Sequence, residues 1–213
     1  MSYLIKEIFY SIQGEGFYSG RPSVFCRFAG CNLWSGKEEG RKTAICKFCD
    51  TDFFDYDGPD GGNYPDASQL AKKLKSFWPQ NNEKSVKPFV VLTGGEPLLQ
   101  VDNLLINALH KENFEIAVET NGTINAPARI DWICVSPKAG AELSQQSGHE
   151  LKLVYPQAGA EPEKYAGLDF HHFYLQPLDD PDLAVNTKKA LQYILLHPQW
   201  RISLQLHKIL GTR

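Results

Sequence analysis

The chain lacks several features that mark particular classes of protein. No uncharged apolar run approaches the roughly 18 residues that a membrane helix requires, and no apolar stretch near the start has the form of a secretion signal. The charges nearly balance, with 22 Lys and Arg against 25 Asp and Glu, so no excess of positive charge indicates nucleic-acid or membrane binding. We therefore expect a cytoplasmic protein that binds neither nucleic acid nor membranes.

Internal repeats, low-complexity segments and long linkers are also missing from the 213 residues. Hydrophobic residues make up 42% and charged residues 22%, as in an ordinary soluble globular protein. This composition predicts a single domain over residues 1–213, long enough to bury a sizeable core.

Strand-like and helix-like segments alternate along the chain, which indicates parallel strand pairing and an α/β fold. Helices are predicted from Asp66, from Leu98 and from near Asp182. About six strands are too few for a complete eight-stranded barrel, so we predict a partial, open parallel β/α barrel with functional groups at the carboxyl ends of its strands. The predicted strands are 23–29, 88–93, 114–119, 132–136, 151–154, 173–175 and a last one at 201–206.

Five cysteines in a cytoplasmic chain do not indicate a disulfide framework. Cys26 and Cys134 lie in strand-like runs and are predicted to be buried as small hydrophobic residues. Cys31, Cys46 and Cys49 lie instead in a segment rich in glycine and charge. Three thiolates can hold three irons of a 4Fe-4S cluster and leave the fourth iron open to a small molecule such as S-adenosylmethionine.

A zinc site is the alternative interpretation of these three cysteines. Structural zinc normally takes four ligands at short spacings, and the nearest histidine after Cys49 is His110. The cluster is therefore the favoured interpretation.

Polar or glycine-rich segments follow five of the predicted strands. Each could be only a turn. Five such segments at the same end of a parallel sheet favour a functional site. The segments are Gly30-Cys31, Gly94-Gly95-Glu96-Pro97, Glu119-Thr120-Asn121-Gly122, Ser136-Pro137-Lys138 and Gln176-Pro177-Leu178-Asp179.

Two of these segments, Gly94-Gly95-Glu96-Pro97 and Glu119-Thr120-Asn121-Gly122, together with the three cysteines and Phe48 before the last of them, resemble the radical S-adenosylmethionine superfamily. The run from Gln13 to Gly16, followed by Arg27, narrows the resemblance to the 7-carboxy-7-deazaguanine synthases, and it covers the chain from Ile5 onward. The superfamily norm is three residues between the first two cysteines, whereas 14 intervene here, over 32–45. A long cluster-binding loop, around 31–50, is similar to that of a subset of these synthases.

The resemblance implies a lyase that converts 6-carboxy-5,6,7,8-tetrahydropterin to 7-carboxy-7-deazaguanine and ammonia, for 7-deazapurines such as queuosine. It also implies a homodimer supplied with single electrons by a flavodoxin-like or similar reductant. Two alternatives remain: a radical enzyme that activates a partner protein, and a zinc-binding module without catalysis.

The resemblance further implies a role for particular residues, none of which is a catalytic side chain, because the cluster and S-adenosylmethionine carry the chemistry. The cluster is assigned to Cys31, Cys46 and Cys49, and Mg2+ to a site that includes Thr51. Contacts to S-adenosylmethionine are implied for Phe48, Asp50, Gly95, Glu119, Ser136, Pro137, Lys138, Gln176, Pro177, Leu178 and Asp179. Contacts to the substrate are implied for Ile12, Gln13, Gly14, Glu15, Arg27, Thr93, His207 and Arg213.

Three of these assignments have structural alternatives. Arg27 offers a planar fork for a carboxylate, but it could instead form a salt bridge at a strand edge. Gln13 and Glu15 suit a polar heterocycle, or simply a hairpin turn. The segment 204–211 is predicted to end the last strand and to bring Arg213 to the site, unless the terminus is frayed.

Overall fold

A computed structural model of the chain describes residues 2–80 and 86–212. None of the described helices is long and apolar enough to cross a membrane. The strands are β1 Tyr3–Ile12, β2 Pro22–Phe28, β3 Gly62–Tyr64, β4 Phe89–Gly94, β5 Glu115–Thr120, β6 Trp132–Val135, β7 Ser147–Tyr155, β8 Asp169–Pro177 and β9 Trp200–Ile202. The α-helices are α1 Ala67–Phe77, α2 Asn103–Lys111, α3 Leu183–Leu196 and α4 Leu206–Leu210.

The described strands form one sheet in the order β3-β1-β2-β4-β5-β6-β7-β8-β9, and its two edge strands do not pair with each other. Neighbours from β2 onward are parallel, whereas β1 is antiparallel to both β2 and β3. The predicted open, mainly parallel α/β barrel is confirmed, with nine strands rather than about six.

Strand β1 is missing from the sequence prediction because its buried positions do not keep a period of two. Tyr3, Ile5 and Ile8 are buried, and the register with β2 shifts between Ile5 and Glu7. A bulge of this kind moves later side chains to the other face of the strand and breaks the alternation that reveals a strand in sequence.

Side chains alternate between two faces along the parallel strands, and helices α1, α2 and α3 cover the outer face. In β4, Val90 and Leu92 pack outward in the same cluster as Leu105 of α2. Phe89 and Val91 belong to a separate inner cluster. Because a strand has a period of two, Thr93, two positions after Val91, points to the same inner, concave side of the sheet.

The helix predicted from Leu98 begins only at Asn103. Glu96 accepts a hydrogen bond from the Leu98 amide and starts a single 3-10 turn, Pro97–Leu99. Asp102 then caps α2 by accepting a hydrogen bond from the Leu105 amide. The buried side chains of Leu98 and Val101 are spaced as in a helix, although the chain turns between the 3-10 turn and α2.

The predicted strand over 201–206 is also wrong beyond Ile202. Ser203 donates a last backbone hydrogen bond to Leu175, after which the chain leaves the sheet. The Leu206 amide donates to the carbonyl of Gly14 at 2.9 Å, and α4 ends at Gly211, whose φ of 66° is left-handed. The C-terminal segment therefore contacts the β1–β2 loop instead of extending β9.

Candidate active site

The strand-end segments singled out in the sequence line one cavity at the carboxyl ends of the parallel strands. Pro137 is buried between two of the lining residues and does not itself line the space. The predicted residues that line it are Glu15, Cys31, Cys46, Phe48, Cys49, Asp50, Thr51, Thr93, Gly95, Glu119, Ser136, Lys138, Gln176, Pro177, Leu178 and Asp179.

A second cavity adjoins the first and holds most of the residues predicted to contact the substrate. Ile12, Gln13, Gly14, Arg27 and His207 line this second space. The two cavities share part of their lining, so they form two lobes of one site. The shared residues are Glu15, Asp50, Thr51, Thr93, Glu119 and Gln205. Arg213 lies outside the described residues.

All three predicted cluster ligands lie on the first lobe, whereas Cys26 and Cys134 are buried, as predicted. A hydrogen bond with Cys46 lowers the pKa of the Cys49 thiol, and burial raises the pKa of the Cys31 thiol. Among the described residues, no three His, Cys, Asp or Glu side chains converge on a point that would hold a single metal ion. Three thiols placed around one cavity fit a 4Fe-4S cluster, in which each cysteine binds a different iron.

Gly95 allows the turn after β4 to pack directly against Gly30 and Cys31. A β-carbon at Gly95 would lie 2.1 Å from the Gly30 carbonyl oxygen and 2.8 Å from the Cys31 β-carbon. The Glu96 amide also donates to the Gly30 carbonyl at 3.0 Å. The glycine is therefore required for a close approach of two backbone segments beside a cysteine.

Glu96 joins two of the strand-end motifs, a role that the sequence did not indicate. It is fully buried and accepts hydrogen bonds from Thr120 Oγ1 and from the Asn121 amide, both at 2.8 Å. Burial raises the pKa of this carboxyl, and the hydrogen bonds oppose that shift. A buried carboxyl with this many donors fixes the relative positions of the β4 and β5 turns.

Lys152 occupies the boundary between the two lobes and was also missed. It extends from the inner face of β7, is 6% exposed, and lies 2.7 Å from Glu15 Oε2 and 2.8 Å from Glu119 Oε2. Gln13 Nε2 donates to the other oxygen of Glu119 at 3.2 Å. A charged residue inside the apolar run of β7 was the one signal that could have revealed it.

Glu15 is held by more than this ion pair. Gln176 Nε2 and Gln205 Nε2 donate to its Oε1 at 3.1 and 2.9 Å. Burial raises the pKa of Glu15, but the charge and hydrogen bond of Lys152, the hydrogen bond from Gln205 and the charge of His207 together outweigh burial and lower that pKa to about 2. Gln13 and Glu15 begin the predicted hairpin loop, because the backbone amide of Gln13 donates to the carbonyl of Arg21. Their side chains nevertheless join the polar network of the cavity.

The sequence left two roles open for Arg27, a salt bridge at a strand edge and a planar fork for a carboxylate. Its Nε donates to Glu7 Oε1 at 2.9 Å across the β1–β2 pair, so the strand-edge salt bridge is present. The side chain nevertheless lines the second lobe and is 20% exposed.

The C-terminal helix α4 lies across the mouth of the site. A β-carbon on Gly14 would come within 2.2 Å of His207 Nδ1, which places the imidazole directly against the β1–β2 loop. Lys208 forms ion pairs with both Asp50 and Asp179. Two residues predicted to contact S-adenosylmethionine are therefore bridged by a lysine that the sequence did not single out.

Proteins of known function resemble the chain over its full length. It is 61% identical over 213 residues to the 7-carboxy-7-deazaguanine synthase of Bradyrhizobium diazoefficiens, which covers 100% of both chains. The synthase of Nitratidesulfovibrio vulgaris is 50% identical and covers 99% of each chain. The crystal structure of QueE from Escherichia coli has a TM-score of 0.74 and 25% identity, and it covers 97% of this chain and 95% of that one.

No family model matches the sequence. An open, mainly parallel α/β sheet with a three-cysteine cavity at its strand ends is the arrangement expected of a radical S-adenosylmethionine enzyme. The chain belongs to the 7-carboxy-7-deazaguanine synthase family.

Replacing the buried lysine, Lys152→Met, should destabilise the protein by roughly 3 kcal/mol at pH 7, because two partly buried carboxylates lose their cation. The wild-type free energy of unfolding should fall as the pH drops from about 4.5 to about 2, since Glu15 is ionised over that range only in the folded state. This decline should be smaller in the variant, because only carboxyls elsewhere, such as Glu161 and Glu115, still contribute to it, as measured by urea unfolding at several pH values. Lys188→Met, at an exposed position of α3, is the control and should retain the decline.

Proposed function

We propose that the chain converts 6-carboxy-5,6,7,8-tetrahydropterin to 7-carboxy-7-deazaguanine and ammonia in queuosine biosynthesis, as one catalytic domain over residues 1–213. The observation that carries this proposal is the continuity of the site. A lobe lined by Cys31, Cys46 and Cys49 opens directly into a polar lobe that contains Gln13 and Arg27. The relatives named as this synthase support the same reaction, and they give no support to a protein-activating enzyme or a zinc module.

In this proposal the first lobe holds the cofactors. Cys31, Cys46 and Cys49 would bind the 4Fe-4S cluster, and the cluster with S-adenosylmethionine would supply the radical chemistry when bound. The residues that line the lobe would orient S-adenosylmethionine and exclude water. They are Phe48, Asp50, Gly95, Glu119, Ser136, Lys138, Gln176, Pro177, Leu178 and Asp179, with Pro137 supporting them.

The second lobe would bind the pterin. Arg27 would hold the substrate carboxylate with the guanidinium nitrogens other than the Nε that donates to Glu7. Gln13, Glu15 and the backbone from Ile12 to Gly14 would take the aminopyrimidinone edge. The contribution of Lys152 is electrostatic, because it keeps Glu15 ionised and able to accept hydrogen bonds from the ring.

Three further residues complete the substrate lobe in this proposal. Thr93 would add a hydroxyl from the end of β4, and His207 would close the lobe from α4. Arg213 is assigned to the substrate by family resemblance alone.

We also propose that Mg2+ is bound where the lobes meet. Thr51 lines both lobes and lies two residues after Cys49. A hydroxyl is a weak ligand by itself, so substrate oxygens and water would complete the coordination of this hard cation.

The partners of the enzyme are proposals of the same kind. A cytoplasmic, flavodoxin-like protein would deliver single electrons to the cluster. Exposed apolar side chains on α3, among them Leu195 at 82% and Leu196 at 78%, support a homodimer.

The reaction is tested by supplying anaerobically reconstituted protein with the tetrahydropterin, S-adenosylmethionine and dithionite. Mass spectrometry should detect 7-carboxy-7-deazaguanine in the wild type and in Cys26→Ala. It should detect none in Cys31→Ala, Cys46→Ala or Cys49→Ala, because the cluster loses a ligand. Turnover by any of these three variants at the wild-type rate would refute the assignment.

Arg27→Lys should raise the KM for the substrate by about tenfold or more, because lysine keeps the charge and loses the planar fork. An analogue without the carboxylate should show no difference between Arg27→Lys and wild type. The matched control is Arg21→Lys, since Arg21 makes a bidentate pair with Glu115 outside both lobes. Arg21→Lys should lower stability and leave KM unchanged. If Arg27→Lys instead raises KM equally for the substrate and for the analogue without the carboxylate, the role of Arg27 is structural.

Thr51→Ala should abolish most of the stimulation of turnover by added Mg2+, because the cation loses its protein oxygen. Initial rates are measured over a Mg2+ titration after chelation of divalent metal. The control, Thr43→Ala, removes an exposed hydroxyl from the cluster loop and should respond to Mg2+ like the wild type. A Thr51→Ala enzyme with the wild-type response would place the cation elsewhere.

A further inference from the structure

The loop between the first two cysteines folds back onto the turn between the last two. It contains a short 3-10 helix, Glu38–Thr43, and its last residues return to its start, where the Cys46 amide donates to the Leu33 carbonyl at 3.3 Å. Arg41 projects from this 3-10 helix toward the cysteine turn. Its Nη1 donates to the carbonyls of Lys47 and Cys49, each at 3.1 Å.

The position of Arg41 is fixed from two other directions. Its guanidinium carbon lies 3.9 Å from the ring centre of Trp34, which is 7% exposed and packs edge-on against Phe53. Its Nε also donates to Glu38 Oε2 at 2.7 Å. A guanidinium can stack on a ring and donate several hydrogen bonds in one plane, and the ammonium group of lysine cannot do both.

Arg41 also places a permanent positive charge beside the Cys46–Cys49 turn, since its guanidinium donates to two carbonyls of that turn. Hydrogen bonds around the ligands, net charge and solvent exposure set the reduction potential of an iron–sulfur cluster. The guanidinium acts on two of these three quantities, because it immobilises the carbonyl groups of the ligand turn and reduces its net negative charge.

We propose that Arg41 is a positioning residue for the cluster, which holds the Cys46–Cys49 turn in the shape that binds iron and makes the bound cluster easier to reduce. This inference rests on the proposed function, since it requires that the three cysteines carry a 4Fe-4S cluster. The long loop then serves as an internal clamp on the ligand turn, with the arginine as its point of attachment.

The experiment compares wild type, Arg41→Met, Arg41→Lys and Lys42→Met after anaerobic reconstitution. Lys42 is exposed in the same 3-10 helix, so its replacement removes an equal charge without disturbing the clamp. Iron and sulfide content, loss of the cluster to a chelator, the EPR spectrum of the reduced cluster and its midpoint potential are measured. Circular dichroism establishes that each variant is folded.

Arg41→Met should lose its cluster to the chelator faster than wild type. Its ratio of reduced to oxidised cluster at a fixed potential should fall about tenfold, or about 59 mV for one electron. Arg41→Lys should keep a potential near that of wild type, lose its cluster faster and give an altered EPR spectrum, because the charge remains and the paired hydrogen bonds do not. Lys42→Met should match wild type in every measurement.

The inference is overturned if both Arg41 variants match wild type in potential, spectrum and cluster loss, or if Lys42→Met shifts the potential as much as Arg41→Met does. Because Arg41→Lys retains the charge and most of the side-chain volume, it keeps the test decisive if Arg41→Met does not fold. A wild-type protein that binds no cluster would instead refute the proposed function itself, before any variant is compared.

Discussion

The shape of the site depends on the ion pairs that the ammonium group of Lys152 makes with two carboxylates. The ammonium group joins Glu15, from the loop between β1 and β2, to Glu119, at the end of β5. Burying the charge of Lys152 and partly burying two carboxylates is costly, and hydrogen bonds from glutamine side chains to each carboxylate help to offset that cost. The two lobes of the site are thereby held at a fixed separation.

The alternation of side chains along the strands explains why functional groups collect on the concave side. Apolar residues at one set of positions bury the helices against the outer face, and the opposite set is free to be polar near the strand ends. The turns after β4 and β5 are then locked to each other by Glu96, beside the cysteine that follows β2. Stability and function thus use different faces of the same strands.

Local patterns in the sequence were sufficient for the elements that obey them. The helix capped by Asp66 and the buried strand from Phe89 follow directly from capping and apolar spacing. The bulge in β1 and the departure of the chain after Ile202 were not predictable in this way, because distant partners determine both. The roles of Lys152 and Glu96 were missed for the same reason, since their partners lie on other strands and become neighbours only in the fold.

The proposed reaction requires that a cluster with an open iron share one continuous site with the pterin. This requirement is tested by the EPR spectrum of the reduced protein, recorded alone, with S-adenosylmethionine, and with S-adenosylmethionine and the tetrahydropterin together. S-adenosylmethionine should change the spectrum by binding the open iron, and the pterin should change it again from the adjoining lobe. A spectrum that neither molecule alters would show that the cluster does not share its site with them.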